Sequence, residues 1–314
     1  MNSATKVSAY VLGLAVVFGG AAGIGKAAGP IGGAAEMASH EGDTGTGHGG
    51  GHGGEAAAHA PGGLQVSEDG YTLAPRTTTV TPGEKTDFRF TINGPDGKPV
   101  TGFTPLHGKR LHLIVAQRDL SGFQHLHPTE IGGGVWTVPV ELPEPGVYRF
   151  FTDVRPNGAA RQLTLGTDVF APGDMRRTPL PKPAQVAKVD GYEVALAGGL
   201  TPGKSTELTL TVSKDGKPVT DLQPYLEAYG HLVALRQGDL AYLHVHPDGE
   251  PGDGETKPGP GITFFAEAPS TGAYRLYLDF KHDGKVRTAE FTVHAGDAGV
   301  PADEPAHDDQ PHTH

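Results

Sequence analysis

The sequence predicts an all-β protein, with two tandem antiparallel β-sandwiches of the immunoglobulin or cupredoxin-like kind following an N-terminal hydrophobic helix. Three observations predict it. Short segments alternate apolar and polar residues, as in DFRFTI around Phe88, Phe90 and Ile92 and ELTLTV around Leu208, Leu210 and Val212; this period marks half-buried strands. Gly, Pro and Asp separate them, with Asp-Gly pairs at 96–97, 215–216 and 283–284 as hairpin or turn signals. The segments also recur. Asp69-Gly70-Tyr71 returns as Asp190-Gly191-Tyr192, Thr81-Pro82-Gly83 as Thr201-Pro202-Gly203, DGKPVT at 96–101 again at 215–220, and GVYRFFTD at 146–153 as GAYRLYLD at 272–279. An offset of about 120 residues is too long for a solenoid unit and suits two copies of one globular domain. Several short strands in each copy indicate a sandwich.

Taken in chain order, residues 1–28 carry Lys6 and then an uncharged stretch at 7–25, close to the ~20 residues a membrane-spanning helix needs. A signal anchor is favoured, because no clean A-x-A cleavage site follows. A secretory signal peptide is the other reading, with Gly33-Ala34-Ala35 as its best substitute site. The expected location is the cell membrane, single-pass with the bulk extracytoplasmic, or secreted if the segment is cleaved. Residues 29–63 read as a Gly/Ala-rich disordered linker with His40, His48, His52 and His59. The first sandwich is expected at 64–172, a semi-rigid Pro-rich joint at 173–185 and the second sandwich at 186–295. An acidic tail at 296–314 carries His307, His312 and His314; tail and linker read as tethers and loose metal scavengers.

Composition narrows the chemistry. The 314 residues hold 25 basic and 36 acidic side chains, a net charge of −11, which argues against a nucleic-acid partner. Cysteine is absent, so disulfides, thiolate metal sites and blue-copper centres are excluded. Methionine is scarce at 3 and histidine abundant at 16, so transition-metal chemistry must run through imidazole. There is no nucleophile elbow, phosphate loop or H-E-x-x-H, and the chain is not expected to be an enzyme.

The histidines form a repeated constellation. LHLIVAQRDLSGFQHLHP at 111–128 and GHLVALRQGDLAYLHVHP at 230–247 each hold a His, a step of thirteen residues to a second, and then His-x-His-Pro. The sets are His112, His125, His127 and His231, His244, His246. Each segment reads as a hairpin. Strand alternation puts the two H-x-H imidazoles on one face and Leu111, Leu113, Val115 and Leu126 (or Leu232, Ala234, Leu243 and Val245) on the core face. Facing residues of paired strands share a side, so His112 joins His125 and His127, within reach of one metal. All-imidazole sites suit Cu(II), Zn(II) or Ni(II), with Cu(II) favoured over Zn(II). The competing reading is polar decoration of an exposed sheet, copied by duplication. Asp153 and Asp279 occupy matching strand ends as candidate ligands, imidazole-orienting partners or plain turn residues; His107, His282 and His294 read as surface residues.

These segments resemble a largely uncharacterised group of bacterial secreted or membrane-anchored β-sandwich proteins, most specifically through the DL-x(4)-H-x-H-P spacing at 119–128. The resemblance spans roughly residues 64–295 and implies an extracytoplasmic location and a heavy-metal role. The expectation is therefore a membrane-tethered binding protein that buffers a divalent transition metal or hands it to a membrane transporter, with affinity falling below about pH 6 as imidazoles protonate. The alternative is a non-metal surface adhesion or scaffolding module.

Overall fold

A computed structural model describes residues 60–296; the expected N-terminal helix, most of the His-rich linker and the tail lie outside the described residues. Among the described residues no helix is long and apolar enough to cross a membrane. The first repeat runs through β1 (Ser67–Glu68), β2 (Tyr71–Pro75), β3 (Lys85–Asn93), β4 (Leu111–Gln117), β5 (Gln124–Leu126), β6 (Thr129–Glu130), β7 (Val135–Glu141), β8 (Gly146–Val154) and β9 (Leu163–Ala171). The second runs through β10 (Val186–Val189), β11 (Tyr192–Gly198), β12 (Ser205–Lys214), β13 (Lys217–Pro218), β14 (Gly230–Arg236), β15 (His244–Pro247), β16 (Gly261–Glu267), β17 (Gly272–His282) and β18 (Lys285–Ala295).

Each repeat is a sandwich of two antiparallel sheets. The first pairs β1-β2-β3-β7-β6 with β5-β4-β8-β9; the second pairs β10-β11-β12-β16-β15, with β13 on β12, against β14-β17-β18. The repeated Asp-Gly dipeptides are the tight turns. At 69–70, 190–191, 215–216 and 283–284 both residues have positive φ, the two-residue geometry that matches strand twist. The alternating strands bury their apolar side as predicted: Phe88, Phe90 and Ile92 meet Leu111, Leu113 and Val115 in the first core, and Leu208, Leu210 and Val212 meet Leu276, Leu278 and Phe280 in the second.

A third core joins the repeats. Ile114, Ala116, Leu120 and Phe151 of the first pack against Val233, Leu235, Leu240 and Tyr277 of the second, with Phe123, Leu180 and Tyr242 at the margin. Every residue of β4 is therefore buried. The exposed histidine face weighed from sequence does not occur on β4. It carries Ile114 and Ala116 beyond His112, and covering that apolar strip with the other sandwich removes it from water. The Pro-rich joint packs on this seam through Leu180, and Thr178 N–H donates to Asp119 Oδ2 at 2.6 Å.

Candidate metal centre

The site grows from β4 and β5. Their register sets Ile114 opposite His125 and Leu113 opposite Leu126, so His112 and His125 lie on the face turned toward the second sandwich. One ring nitrogen from each of His112, His125 and His127 falls within 4.8 Å of the others, and the ring centroids are 4.9–5.4 Å apart.

Hydrogen bonds fix which nitrogens are free. His112 Nε2–H donates to the carbonyl of Leu106 at 2.8 Å; a carbonyl only accepts, so the lone pair is on Nδ1. His125 Nδ1–H donates to the carboxylate of Asp279 at 2.8 Å, so in the neutral ring the lone pair is on Nε2. His112 Nδ1 and His125 Nε2 face each other at 3.1 Å, a separation that a shared proton or a cation can bridge. His127 Nε2 is buried and has no hydrogen-bond partner among the described residues. Burial, opposed by the Leu106 hydrogen bond and helped by neighbouring imidazoles, holds the His112 pKa down at about 3. Burial, with His125 and Lys109 nearby, does the same to His127, also about 3. Both rings are neutral at ordinary pH and offer lone pairs.

The second set is arranged differently. His231 Nε2–H donates to Leu226 O at 2.9 Å, repeating the His112 tether, and burial holds its pKa at about 4. Its ring, however, stands beside first-repeat rings, 5.2 Å from His107 and 6.0 Å from His125. The H-x-H strand has also changed sheets. β5 pairs with β4, but β15 pairs with β16, setting His244 opposite Glu267 and His246 opposite Phe265. The hairpin expected at 230–247 therefore shrinks to the Leu235–Tyr242 bridge. One residue fewer separates the Asp-Leu pair from H-x-H here than in the first copy. His246 is exposed, and the side chain of His244 lies outside the described residues.

Two features were only partly legible. Asp153 and Asp279 are buried cross-strand partners of His112 and His231, yet each reaches into the other repeat. Asp279 binds His125, and Asp153 Oδ2 accepts the Tyr242 hydroxyl at 3.0 Å. Thr288 and Thr164 steady their other oxygens at 2.6 Å. The signal was the matched position of the two aspartates; the partner was invisible because it is non-local. His282, expected at the surface, is buried; it donates from Nε2 to Asp221, and its Nδ1 lies within hydrogen-bond distance of the Tyr192 hydroxyl at 2.7 Å. His107 is exposed as expected, but it borders a cavity of about 300 Å³ also lined by His112, His125, His231 and His246.

Described by fold and site, this is a protein of two tandem antiparallel β-sandwiches with a His₃ cluster at the seam of its repeats. It belongs to the family described as domain of unknown function DUF8832, matched twice, at residues 65–170 and 187–297. That description names no metal. No curated protein is significantly similar to it. Solved structures with detectable likeness include bacterial adhesins and alpha-2-macroglobulins. The Escherichia coli adhesin FdeC is 16% identical, with 73% of this chain and 65% of that chain covered and a TM-score of 0.23. The Yersinia pseudotuberculosis adhesin InvE is 13% identical, with 73% and 60% covered and a TM-score of 0.24. Invasin, described as a bacterial integrin-binding protein, is 13% identical, with 73% and 40% covered and a TM-score of 0.21. The chain spans less than two thirds of the length of each of these three.

Proposed function

We propose that the protein is a binding module that takes a divalent transition metal, Cu(II) before Zn(II), at His112, His125 and His127. The observation that carries this reading is the convergence of three imidazole nitrogens, His112 Nδ1 and His125 Nε2 at 3.1 Å with His127, whose buried Nε2 has no hydrogen-bond partner among the described residues. With both rings neutral, two lone pairs so placed repel unless a cation lies between them. Donors each ~2.0–2.1 Å from one ion, at angles between right and tetrahedral, stand ~2.9–3.4 Å apart, which brackets that separation. A proton shared by His112 and His125 would answer the pair but leave His127 unexplained. His231, His244 and His246 remain proposed ligands of a second, looser site. With the segment at 7–25 as anchor, the module would sit outside the membrane and buffer metal or pass it to a transporter; the role is binding, not catalysis.

Calorimetric titration of Cu(II) and Zn(II) into the full chain and into a His112→Ala/His127→Ala variant tests this, because the His-rich ends contribute equally to both. One saturable sub-micromolar equivalent present in the parent and lost in the variant is expected; identical isotherms would refute the reading.

The second reading is a surface adhesion or scaffolding module in which the histidines only pack. Its support is the architecture: two sandwiches joined by an apolar seam into one body with wide solvent-facing sheets. It is the broader statement of the two and stands without metal. A parent protein that gains no thermal stability on adding Cu(II) or Zn(II) selects it.

A further inference from the structure

Resting on the metal reading above, we infer that the centre is a clasp between the two sandwiches: the first supplies the imidazoles, and the second supplies Asp279, which positions His125 from across the seam. Asp279 is not placed as a ligand. Its Oδ2 accepts the proton of His125 Nδ1, and its Oδ1 accepts the Thr288 hydroxyl, so both oxygens are engaged away from the cluster. The His125 and Asp279 side chains are 6% and 4% exposed, so water does not compete for this bond. A carboxylate on the far nitrogen holds the ring in one orientation and one tautomer and makes the near nitrogen more basic.

The bond is one rung of a ladder. Two residues before His125 is Phe123, and two before Asp279 is Tyr277; their rings stack at 4.0 Å with planes 6° apart. Tyr277 also donates its hydroxyl to Leu120 O at 2.6 Å. The spacing of two keeps stack and hydrogen bond on the same face of extended chain, so the packing that seats Phe123 on Tyr277 also sets His125 on Asp279. Metal affinity and seam integrity are then thermodynamically linked: what loosens the seam weakens the metal, and metal tightens the seam by the same factor.

The test uses the full chain with Cu(II) under a competing chelator, comparing parent, His127→Ala, Asp279→Asn, Asp279→Ala and Phe123→Ala, with the Cu(II) electron paramagnetic resonance spectrum as second readout. His127→Ala asks whether the metal reading holds. Given its loss of binding, Asp279→Ala is expected to weaken affinity by about 10–100-fold and to alter the copper hyperfine coupling. Asp279→Asn, which keeps an acceptor for His125 Nδ1–H, should recover part of both, a rescue that a merely structural role would not give. Phe123→Ala should weaken binding with every ligand intact. Parent-like affinity and spectrum in both Asp279 variants, alongside lost binding in His127→Ala, would overturn the clasp and leave the metal site standing. Parent-like binding in His127→Ala would overturn both. Should Asp279→Ala fail to fold, Asp279→Asn and Phe123→Ala decide.

Discussion

His112 and His127 are ordinary imidazoles made unusual by where they sit. In solution each would titrate near 6.5; burial lowers both to about 3 and His231 to about 4. The sequence-based expectation that metal affinity falls below about pH 6 assumed solvent-exposed ligands, and the burial of two of the three removes that assumption. Between pH 6.5 and 5 a proton can compete at no more than one of the three, so log Kd should change by at most ~1 per pH unit rather than 3. Titrations in a pH series check this; a slope near 3 would mean the imidazoles are open to water. The metal-free fold moves in the same direction. The unfolded chain binds more protons than the folded one between about 6.5 and the lowered values, so stability is full above about pH 6.5 and declines as pH falls toward 4.

At the scale of the element, the Asp-Leu pair before each H-x-H is a device for reaching the other sandwich. Leu120 and Leu240 have φ of 71° and 62°, a left-handed conformation that disfavours a branched side chain. The preceding aspartate holds the turn, with Asp119 Oδ1 accepting Ser121 N–H at 3.1 Å and Asp239 Oδ1 accepting Ala241 N–H at 3.0 Å. Each leucine is then aimed into the seam and is almost fully buried, at 3% and 0% exposed. Leu240→Ala, a substitution in a turn, should therefore cost about 2–5 kcal/mol, as in a core. Urea denaturation measures it, and a loss under about 0.5 kcal/mol, typical of a surface position, would contradict this role. The motif was readable in the sequence as a spacing; its purpose was not, because the contact it makes is with residues more than a hundred positions away.

For the whole molecule, the seam decides how the repeats behave. An apolar core shared by Ile114, Leu120, Phe151, Val233, Leu235 and Tyr277 couples them, and residues 62–63 bridge both: Tyr242 N–H donates to Gly62 O at 3.0 Å and Gly63 N–H to Thr164 O at 2.7 Å. The approach is close. A Cβ at Gly166 would lie 2.1 Å from Gly63 O, so only glycine fits there. The two sandwiches should unfold in a single calorimetric transition, and Leu235→Ser, which places a hydroxyl in the seam, should split it into two. Two transitions in the parent would show that the repeats are energetically independent.

The sandwiches were legible in the chain before it folds. Period-two alternation, Asp-Gly turns and the duplicated segments are local signals, and they place strands, hairpins and core faces without reference to anything distant. They also placed His112, His125 and His127 on one face, because alternation and register are properties of a single hairpin. What that face meets emerges only when the two sandwiches pack. The burial of the imidazoles, the Asp279–His125 bond, the entry of His231 among first-repeat rings and the departure of β15 to the opposite sheet all arise where the sandwiches pack together. Packing between domains depends on surface complementarity across long sequence separations, which no local periodicity records. Identical motifs in the two repeats therefore come to unlike surroundings: the Asp-Leu pair sits one residue closer to H-x-H in the second copy, and β15 pairs with β16 where β5 pairs with β4.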